Sequence, residues 1–345
     1  MATRLILPPD YKPALDVLET EKAIMEIKLT FQRLLAEKLN LQRVTAPLFV
    51  QSGTGINDDL NGIERPLKFS VTNLNHTQAE IVQSLAKWKR LALAKLKIPP
   101  GKGIYTDMNA IRPDEILDNL HSIYVDQWDW ERVITPEERS LSFLKEIVSK
   151  IYQCIFQMET IICQKYPQFT PFLPPKIHFI HAQRLQALFP QLSPREREDR
   201  ICKTHGAVFI QGIGLPLTDG QPHDGRAPDY DDWTSPTEEG PGLNGDILIW
   251  YPPLQQAFEL SSMGIRVDAA TLLRQLKITG CEERRHLYFH RLLLEGKLPL
   301  SIGGGIGQSR LCMFLLRKVH IGEVQVGIWD METIRLCEQH NITLL

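Results

Sequence analysis

The chain has 345 residues, of which 43% are hydrophobic and 23% charged, the balance of a globular enzyme with room for a large core. A net charge of −2 lacks the basic excess of a nucleic-acid-binding surface, and no run of about 18 apolar residues offers a membrane span. The six cysteines (Cys154, Cys163, Cys202, Cys281, Cys312, Cys337) are scattered without a C-x-x-C pair and read as reduced thiols, not as a disulfide or zinc framework.

At the N-terminus the apolar Leu5, Ile6 and Leu7 stop at Pro8-Pro9, too short a run for a signal peptide, so the expected location is the cytoplasm. Residues 14–39 place Leu18, Ile24, Ile27, Phe31, Leu34 and Leu35 at helical spacing, with Asn40 as the stop. Residues 41–47 read as a strand ended by Pro47. Residues 51–62 form a polar, glycine-containing loop that carries Asp58 and Asp59, either solvated or facing a substrate. A short strand is expected over 68–71. A helix over 78–96 then holds Ser84, Lys87, Lys89 and Arg90, where cations ordinarily coat a solvated face.

Two β-rich runs, 103–112 and 122–130, are separated by a turn and fit an antiparallel pair. Alternation projects Gln127, Asp129 and Glu131 to one face beside tryptophans. Carboxylates there are costly to bury alone, which favours a ligand-facing floor, with ion pairing inside the sheet as the alternative. A long helix over 136–165, a strand over 176–180, a helix over 194–205 and a strand over 207–212 follow. Residues 214–242, rich in Gly, Pro and Asp, are too long for a passive connection and read as an ordered functional loop or lid. A strand pair over 245–250 and 256–262 leads into Arg266, and helices over 269–276 and 283–294 precede a glycine-rich stretch. His286 and His290, like His178 and His181, have the spacing of a metal pair but no third ligand, and read as packed or surface residues.

That stretch, Ser301-Ile302-Gly303-Gly304-Gly305-Ile306-Gly307-Gln308-Ser309-Arg310, reads as strand, turn and helix, with glycine letting a large flat group approach the backbone. Arg310 is placed to reach a phosphate or a base. A dinucleotide-binding unit is not expected here, since it opens a domain with further strands after it and about 35 residues follow Arg310.

Together with Phe258-Glu259-Leu260-Ser261-Ser262-Met263-Gly264-Ile265-Arg266 and Arg112-Pro113-Asp114-Glu115, this stretch resembles the catalytic core of class II aminoacyl-tRNA synthetases, the aspartyl and asparaginyl branch most of all. The resemblance is closer still to their small relatives, the ammonia-dependent asparagine synthetase family (aspartate–ammonia ligases of the A type). It extends along almost the whole chain, through Ser84 to Arg90, Tyr124 to Glu131 and Arg226-Ala227-Pro228-Asp229-Tyr230-Asp231-Asp232-Trp233.

The resemblance implies one α+β domain over 1–345, a mostly antiparallel sheet flanked by helices, with the first helix and strand forming a homodimer interface. It implies ATP, L-aspartate and ammonia as substrates, Mg²⁺ as the metal, and neither nucleic acid nor membrane as partner. Arg112 and Arg310 would hold phosphates, Asp246 and Glu259 the metal, and Gly305 the nucleotide. Arg266 and Lys89 would take the unreacting carboxylate of aspartate, with Ser84, Gln127, Ser262 and an acid (Asp58 or Asp129) around the rest of it. The β-carboxylate would attack the α-phosphate, giving β-aspartyl-AMP and pyrophosphate, and ammonia would then displace AMP. The acid that deprotonates ammonium stays open among Asp58, Asp129 and the acids of 226–233. Alanine at position 2, where glutamine-using enzymes carry a cysteine nucleophile, makes free ammonia the expected donor. The alternative is a truncated aspartyl- or asparaginyl-tRNA synthetase paralogue; the first core motif near Ala14 leaves no room for an anticodon-binding barrel ahead of it.

Overall fold

The computed structural model describes residues 5–58, 60 and 64–345; Asp59 lies outside the described residues. Helix α1 (Val17–Leu39) begins at a reciprocal cap in which Asp16 accepts the Glu19 N–H and Glu19 reaches back to the Asp16 N–H. It ends where Asn40 turns left-handed at φ 58°. Its buried stripe is Ala23, Ile24, Ile27, Phe31 and Leu35, whereas Leu18, expected on that stripe, faces outward with Met25 and Leu29.

Strands β1 (Leu41–Arg43), β2 (Phe49–Gln51), β3 (Lys68–Val71) and β4 (Thr77–Ile81) precede helix α2 (Ala86–Lys95). The helix expected from residue 78 therefore starts later. Gln78, Ala79 and Glu80 favour helices intrinsically, but they pair with β2 on one side and β3 on the other, and that pairing overrides propensity. Strands β5 (Gly103–Ile111) and β6 (Tyr124–Val133) form the expected antiparallel pair. Helix α3 (Leu141–Lys165) starts after the Ser140 cap, not at Pro136. The chain continues through β7 (His178–His181), α4 (Ala182–Leu188), α5 (Pro194–His205) and β8 (Ala207–Gln211). The short strands β9 (Pro236–Thr237) and β10 (Gly240–Pro241) lie inside the long loop. Then come β11 (Asn244–Tyr251), β12 (Gln256–Ile265), α6 (Ala269–Thr279) and α7 (Tyr288–Leu294). A 3₁₀ turn, Glu282–His286, sits ahead of α7, so His286 and His290 do not share one helix face. Strand β13 (Ser301–Gly307), helix α8 (Gln308–Leu315) and helix α9 (Met331–Gln339) complete the chain.

The main sheet runs β1-β5-β6-β13-β12-β11-β8-β7. Every pairing from β5 to β8 is antiparallel, and only the edges β1–β5 and β7–β8 are parallel. One face is dry: Trp128 and Trp130 of β6 and Phe258 and Leu260 of β12 share a core with α1, α3 and α8. Alternation along β6 turns Gln127, Asp129 and Glu131 to the opposite face, as the sequence predicts.

Two local features make that face usable. The first is a β-bulge where β12 slips against β11 between Ile247 and Leu248. Phe258 enters the core before it, Leu260 at the bulge itself, and Met263 and Ile265 after it, so the inward parity changes from even to odd numbers. Glu259 and Ser262, three apart, thus reach the same side, which an unbroken strand forbids. The second is β13 itself. Its glycines are the strand, not the turn expected after it, and they serve close approach without any positive φ. A Cβ on Gly303 would strike the Glu131 carboxylate, one on Gly305 the Gln127 amide, and one on Gly304 the backbone of Ser262 at 2.6 Å.

Gly303→Ala is expected to cost about 1–3 kcal/mol by overpacking, whereas Gly327→Ala, whose Cβ has ordinary contacts from 3.4 Å, should stay within about 0.5 kcal/mol. Urea unfolding of both variants checks this, and equal losses would contradict the close-approach role of β13.

Candidate active site

A cavity of about 520 Å³ opens on the face that carries Gln127. Its walls include Arg112 from the end of β5, Gln127 of β6, Glu259 and Ser262 of β12, Gly305 of β13 and Arg310 of α8. Leu120 and Val125 add apolar surface, and Asp224, Gly225, Arg226 and Tyr230 come from the long loop. Six of the expected site residues therefore share one cavity. Asp58, Ser84, Lys89, Asp129, Asp246 and Arg266 are not on its surface and stand behind or beside it.

The residues behind the wall form a buried ion network. Lys89 and Arg90, which helix cations would ordinarily expose, are buried in α2. The Lys89 ammonium donates to Asp129, to the Trp130 carbonyl at 2.9 Å and to the Gly304 carbonyl at 3.0 Å, which occupies its three hydrogens. Glu131 lies 3.7 Å from the same ammonium. Arg266 donates from Nε and Nη2 to Glu131 (3.0 and 2.8 Å) and from Nη1 to Asp231. Ser301 adds a bond to Glu131 at 2.7 Å. Burial penalises the Glu131 carboxylate, yet Arg266 and Lys89 outweigh it and hold its pKa below the ordinary value. For Asp231 burial wins, and its pKa is raised despite Arg266. Of the two readings open for these carboxylates, ion pairing inside the sheet describes Asp129 and Glu131 here, while Gln127 faces the cavity.

Arg112 and Arg310 are less constrained. Among the described residues the Arg112 side chain donates only a long bond, 3.4 Å, to the Gln83 carbonyl, and its buried Nε has no hydrogen-bond partner. Arg310 touches the Glu259 carbonyl at 3.2 Å and its carboxylate at 3.5 Å. Two guanidinium groups with spare donors on one cavity suit a phosphate chain. Ser84 accepts the Ala86 N–H at 3.1 Å at the start of α2. Asp58 is buried, accepts the Leu60 N–H at 3.0 Å, and is tied through its carbonyl to Gln83.

Asp246 bonds Arg226, and its other oxygen, Oδ1, is buried with no close hydrogen-bond partner among the described residues, the Ser262 hydroxyl being its polar neighbour. Burial pushes its pKa up to about 7 against the pull of Arg226, with Glu259 adding repulsion. Among the described residues no cluster of three or more His, Cys, Asp or Glu has metal-binding geometry. Two neighbouring carboxylates, one with an orphan oxygen, still fit Mg²⁺, which takes few protein ligands and completes its shell with water and phosphate oxygens.

The loop 214–242 is ordered by its own bonds. Asp232 caps Thr234 and Ser235 and pairs with Arg139, and the Trp233 indole donates to the Ala227 carbonyl at 3.0 Å. Asp229 is buried against Lys87 (3.1 Å), His290 (2.9 Å) and Arg284 (3.5 Å); burial opposes its charge, but Lys87, the hydrogen bond with His290 and Arg284 depress its pKa. His290 is thus a packed hydrogen-bond partner, and His178 stacks on His205.

Sequence reasoning passed over Arg226 and Tyr230, although both sit in a segment that carries the family resemblance, because only the acids of that segment suggested chemistry. It also missed Asp126, which accepts the Ser309 N–H at 2.9 Å and the Lys28 ammonium at 2.9 Å, and Gln325, which donates to Ser309 at 3.0 Å. No local pattern links these distant segments.

The fold of this cavity is found in solved structures. Asparaginyl-tRNA synthetase of Pyrococcus horikoshii in complex with asparaginyl-adenylate aligns with a TM-score of 0.66 at 16% identity, over 89% of this chain and 68% of that one. The Entamoeba histolytica asparaginyl enzyme gives 0.63 at 15% identity, over 90% of this chain and 66% of that one. At such identities the likeness is one of fold, the class II synthetase core. Aspartate–ammonia ligases of Bacteroides fragilis and Clostridium perfringens are 60% and 58% identical to this chain over 342 residues, 99% of this chain and of each relative. Residues 18–341 match the family model for aspartate–ammonia ligase, and the chain belongs to that family.

Proposed function

We propose that the chain makes L-asparagine from L-aspartate, ammonia and ATP through a β-aspartyl-AMP intermediate, releasing pyrophosphate and then AMP. The observation that carries this reading is a single cavity with Arg112 and Arg310 on its walls and the Lys89–Asp129–Glu131–Arg266 network against its floor. Phosphate chemistry and amino-acid recognition thereby adjoin.

The nucleotide lies along Gly305 and Gly307, with Arg112 and Arg310 on its phosphates and Leu120 and Val125 against its base. Zwitterionic aspartate inserts into the Lys89–Asp129 pair. Its ammonium replaces Lys89 on Asp129, its α-carboxylate takes Lys89 and a remaining N–H of Arg266, and Gln127, Ser84 and Ser262 complete the site. This exchange is near neutral in charge, so it suits groups that are already desolvated. The β-carboxylate, left without a strong partner, faces the α-phosphate. Arg112 supplies a preorganised cation where negative charge accumulates in the transition state. Asp246 and Glu259 would hold Mg²⁺, which when bound neutralises phosphate charge. In the second step ammonium must shed a proton before it can attack. Asp58, Asp129 and the acids of 226–233, among them Asp231 on Arg266, are the candidate acceptors. No side-chain nucleophile is needed. The outward Leu18, Met25 and Leu29 of α1 and the exposed Phe49–Phe69 pair are apolar surfaces that support a homodimer.

Incubation with aspartate, Mg·ATP and ammonium chloride, without tRNA, should yield asparagine, AMP and pyrophosphate in equal amounts by chromatography. ADP in place of AMP would sink the adenylate route, and no asparagine would sink the ligase reading. Arg112→Gln should lower kcat by about 10²–10³. Its thermal midpoint should stay close to the parent's, because the side chain has only the one long bond to lose; a large drop in stability with unchanged kcat would reverse the assignment.

A further inference from the structure

The two carboxylates assigned to the metal each carry an arginine, and both arginines line the nucleotide cavity. Glu259 pairs with Arg310 at 3.5 Å, and Asp246 pairs with Arg226. Arg226 is held more firmly: Nη1 donates to Asp224 at 2.6 Å and to the Gly225 carbonyl at 2.7 Å. Only about a tenth of its side chain is exposed, and its Nε is buried without a partner. A guanidinium whose Nε finds no acceptor among the described residues, clipped to a carboxylate whose second oxygen has only the neighbouring Ser262 hydroxyl, is well formed as a temporary partner and poorly formed as a permanent one.

We propose that Arg226 is a resident counter-cation of the Asp246 site, exchanged for the metal when nucleotide binds and then turned to the phosphates as a third arginine beside Arg112 and Arg310. The proposal rests on the reading of Asp246 and Glu259 as the metal carboxylates. Without ligands, Arg226 is shared between Asp246 and Asp224, and Arg310 faces Glu259. A divalent ion that displaces both arginines adds two positive charges to the cavity, which a polyanion compensates. A polyanion alone meets arginines already engaged by carboxylates. Metal and nucleotide therefore each prepare the site for the other, and by linkage the coupling is reciprocal. Arg226 already lines the cavity from the loop 214–242, so the exchange needs only its side chain to turn from Asp246 on β11 toward the nucleotide. Arg226 thus acts as a positioning and phosphate-binding residue, not a permanent clip.

The test separates metal from nucleotide. Mn²⁺ alone is titrated into the parent protein, Arg226→Gln and Asp246→Asn, with free Mn²⁺ followed by electron paramagnetic resonance. A non-hydrolysable ATP analogue is then titrated in the presence of Mn²⁺ by calorimetry. The exchange predicts opposite signs in Arg226→Gln: Mn²⁺ alone binds about fivefold tighter or more, because its competitor is gone, while the analogue binds about fivefold weaker or more. Asp246→Asn should lose Mn²⁺ binding. If Asp246→Asn loses Mn²⁺ but Arg226→Gln changes neither affinity, or shifts both in the same direction, the exchange is wrong while the metal reading stands. If Asp246→Asn leaves Mn²⁺ binding unchanged, both fail. Far-UV circular dichroism of each variant confirms that the comparison is between folded proteins.

Discussion

The site depends on what β13 leaves out. With no side chains on Gly303 and Gly305, the Glu131 carboxylate and the Gln127 amide lie directly across the strand from β6. Glu131 is thereby brought to Arg266 on the far side of β13 while remaining 3.7 Å from Lys89. Strands β6 and β12 are not neighbours in the sheet; β13 lies between them. A side chain at either glycine would part the charges that the site is built from. The Gly304 carbonyl completes the arrangement by accepting from Lys89.

Burying so many charges is tolerable only because each is paired and hydrogen-bonded. Glu131 has two cations and a hydroxyl, and keeps its charge in spite of burial. Asp231 has one close cation and is pushed toward its neutral form. Asp246 is in a similar position, with Arg226 offset by burial and by Glu259. A network of this kind is weak evidence for stability; in the proposed reaction its members would accept a charged ligand by exchanging partners, without charging an apolar space. The bulge in β12 adds the other half of the design: it lets core residues stay in the core while Glu259 and Ser262 both turn to the cavity.

Much of this was legible in the sequence, and the parts that were not share a cause. The alternation of Gln127, Asp129 and Glu131 fixed their common face, because a strand has one period and no choice. The α5 boundaries came directly from Ser193, Pro194 and Gly206, local signals that tertiary structure did not disturb. The glycines of 303–307 announced close approach but not its form; a strand and a turn use the same residue, and only the partners across the sheet distinguish them. The 78–81 strand was hidden because its residues prefer helices and its reason to be extended lies in β2 and β3. Lys89 and Arg90 looked like solvated cations since the carboxylate and carbonyls that bury them are remote in sequence. Arg226 stood in a recognised segment, yet its role appears only when Asp246, twenty residues on, is seen beside it.

In the proposed reaction the β-carboxylate of aspartate is activated at the α-phosphate in the cavity between Arg112 and Arg310. Aspartate labelled with ¹⁸O in its β-carboxylate tests this most directly, with product AMP analysed by mass spectrometry after turnover with ammonia. Transfer of one labelled oxygen into each AMP is the predicted result, because the anhydride oxygen leaves with the nucleotide. Unlabelled AMP, or label found in inorganic phosphate, would contradict it.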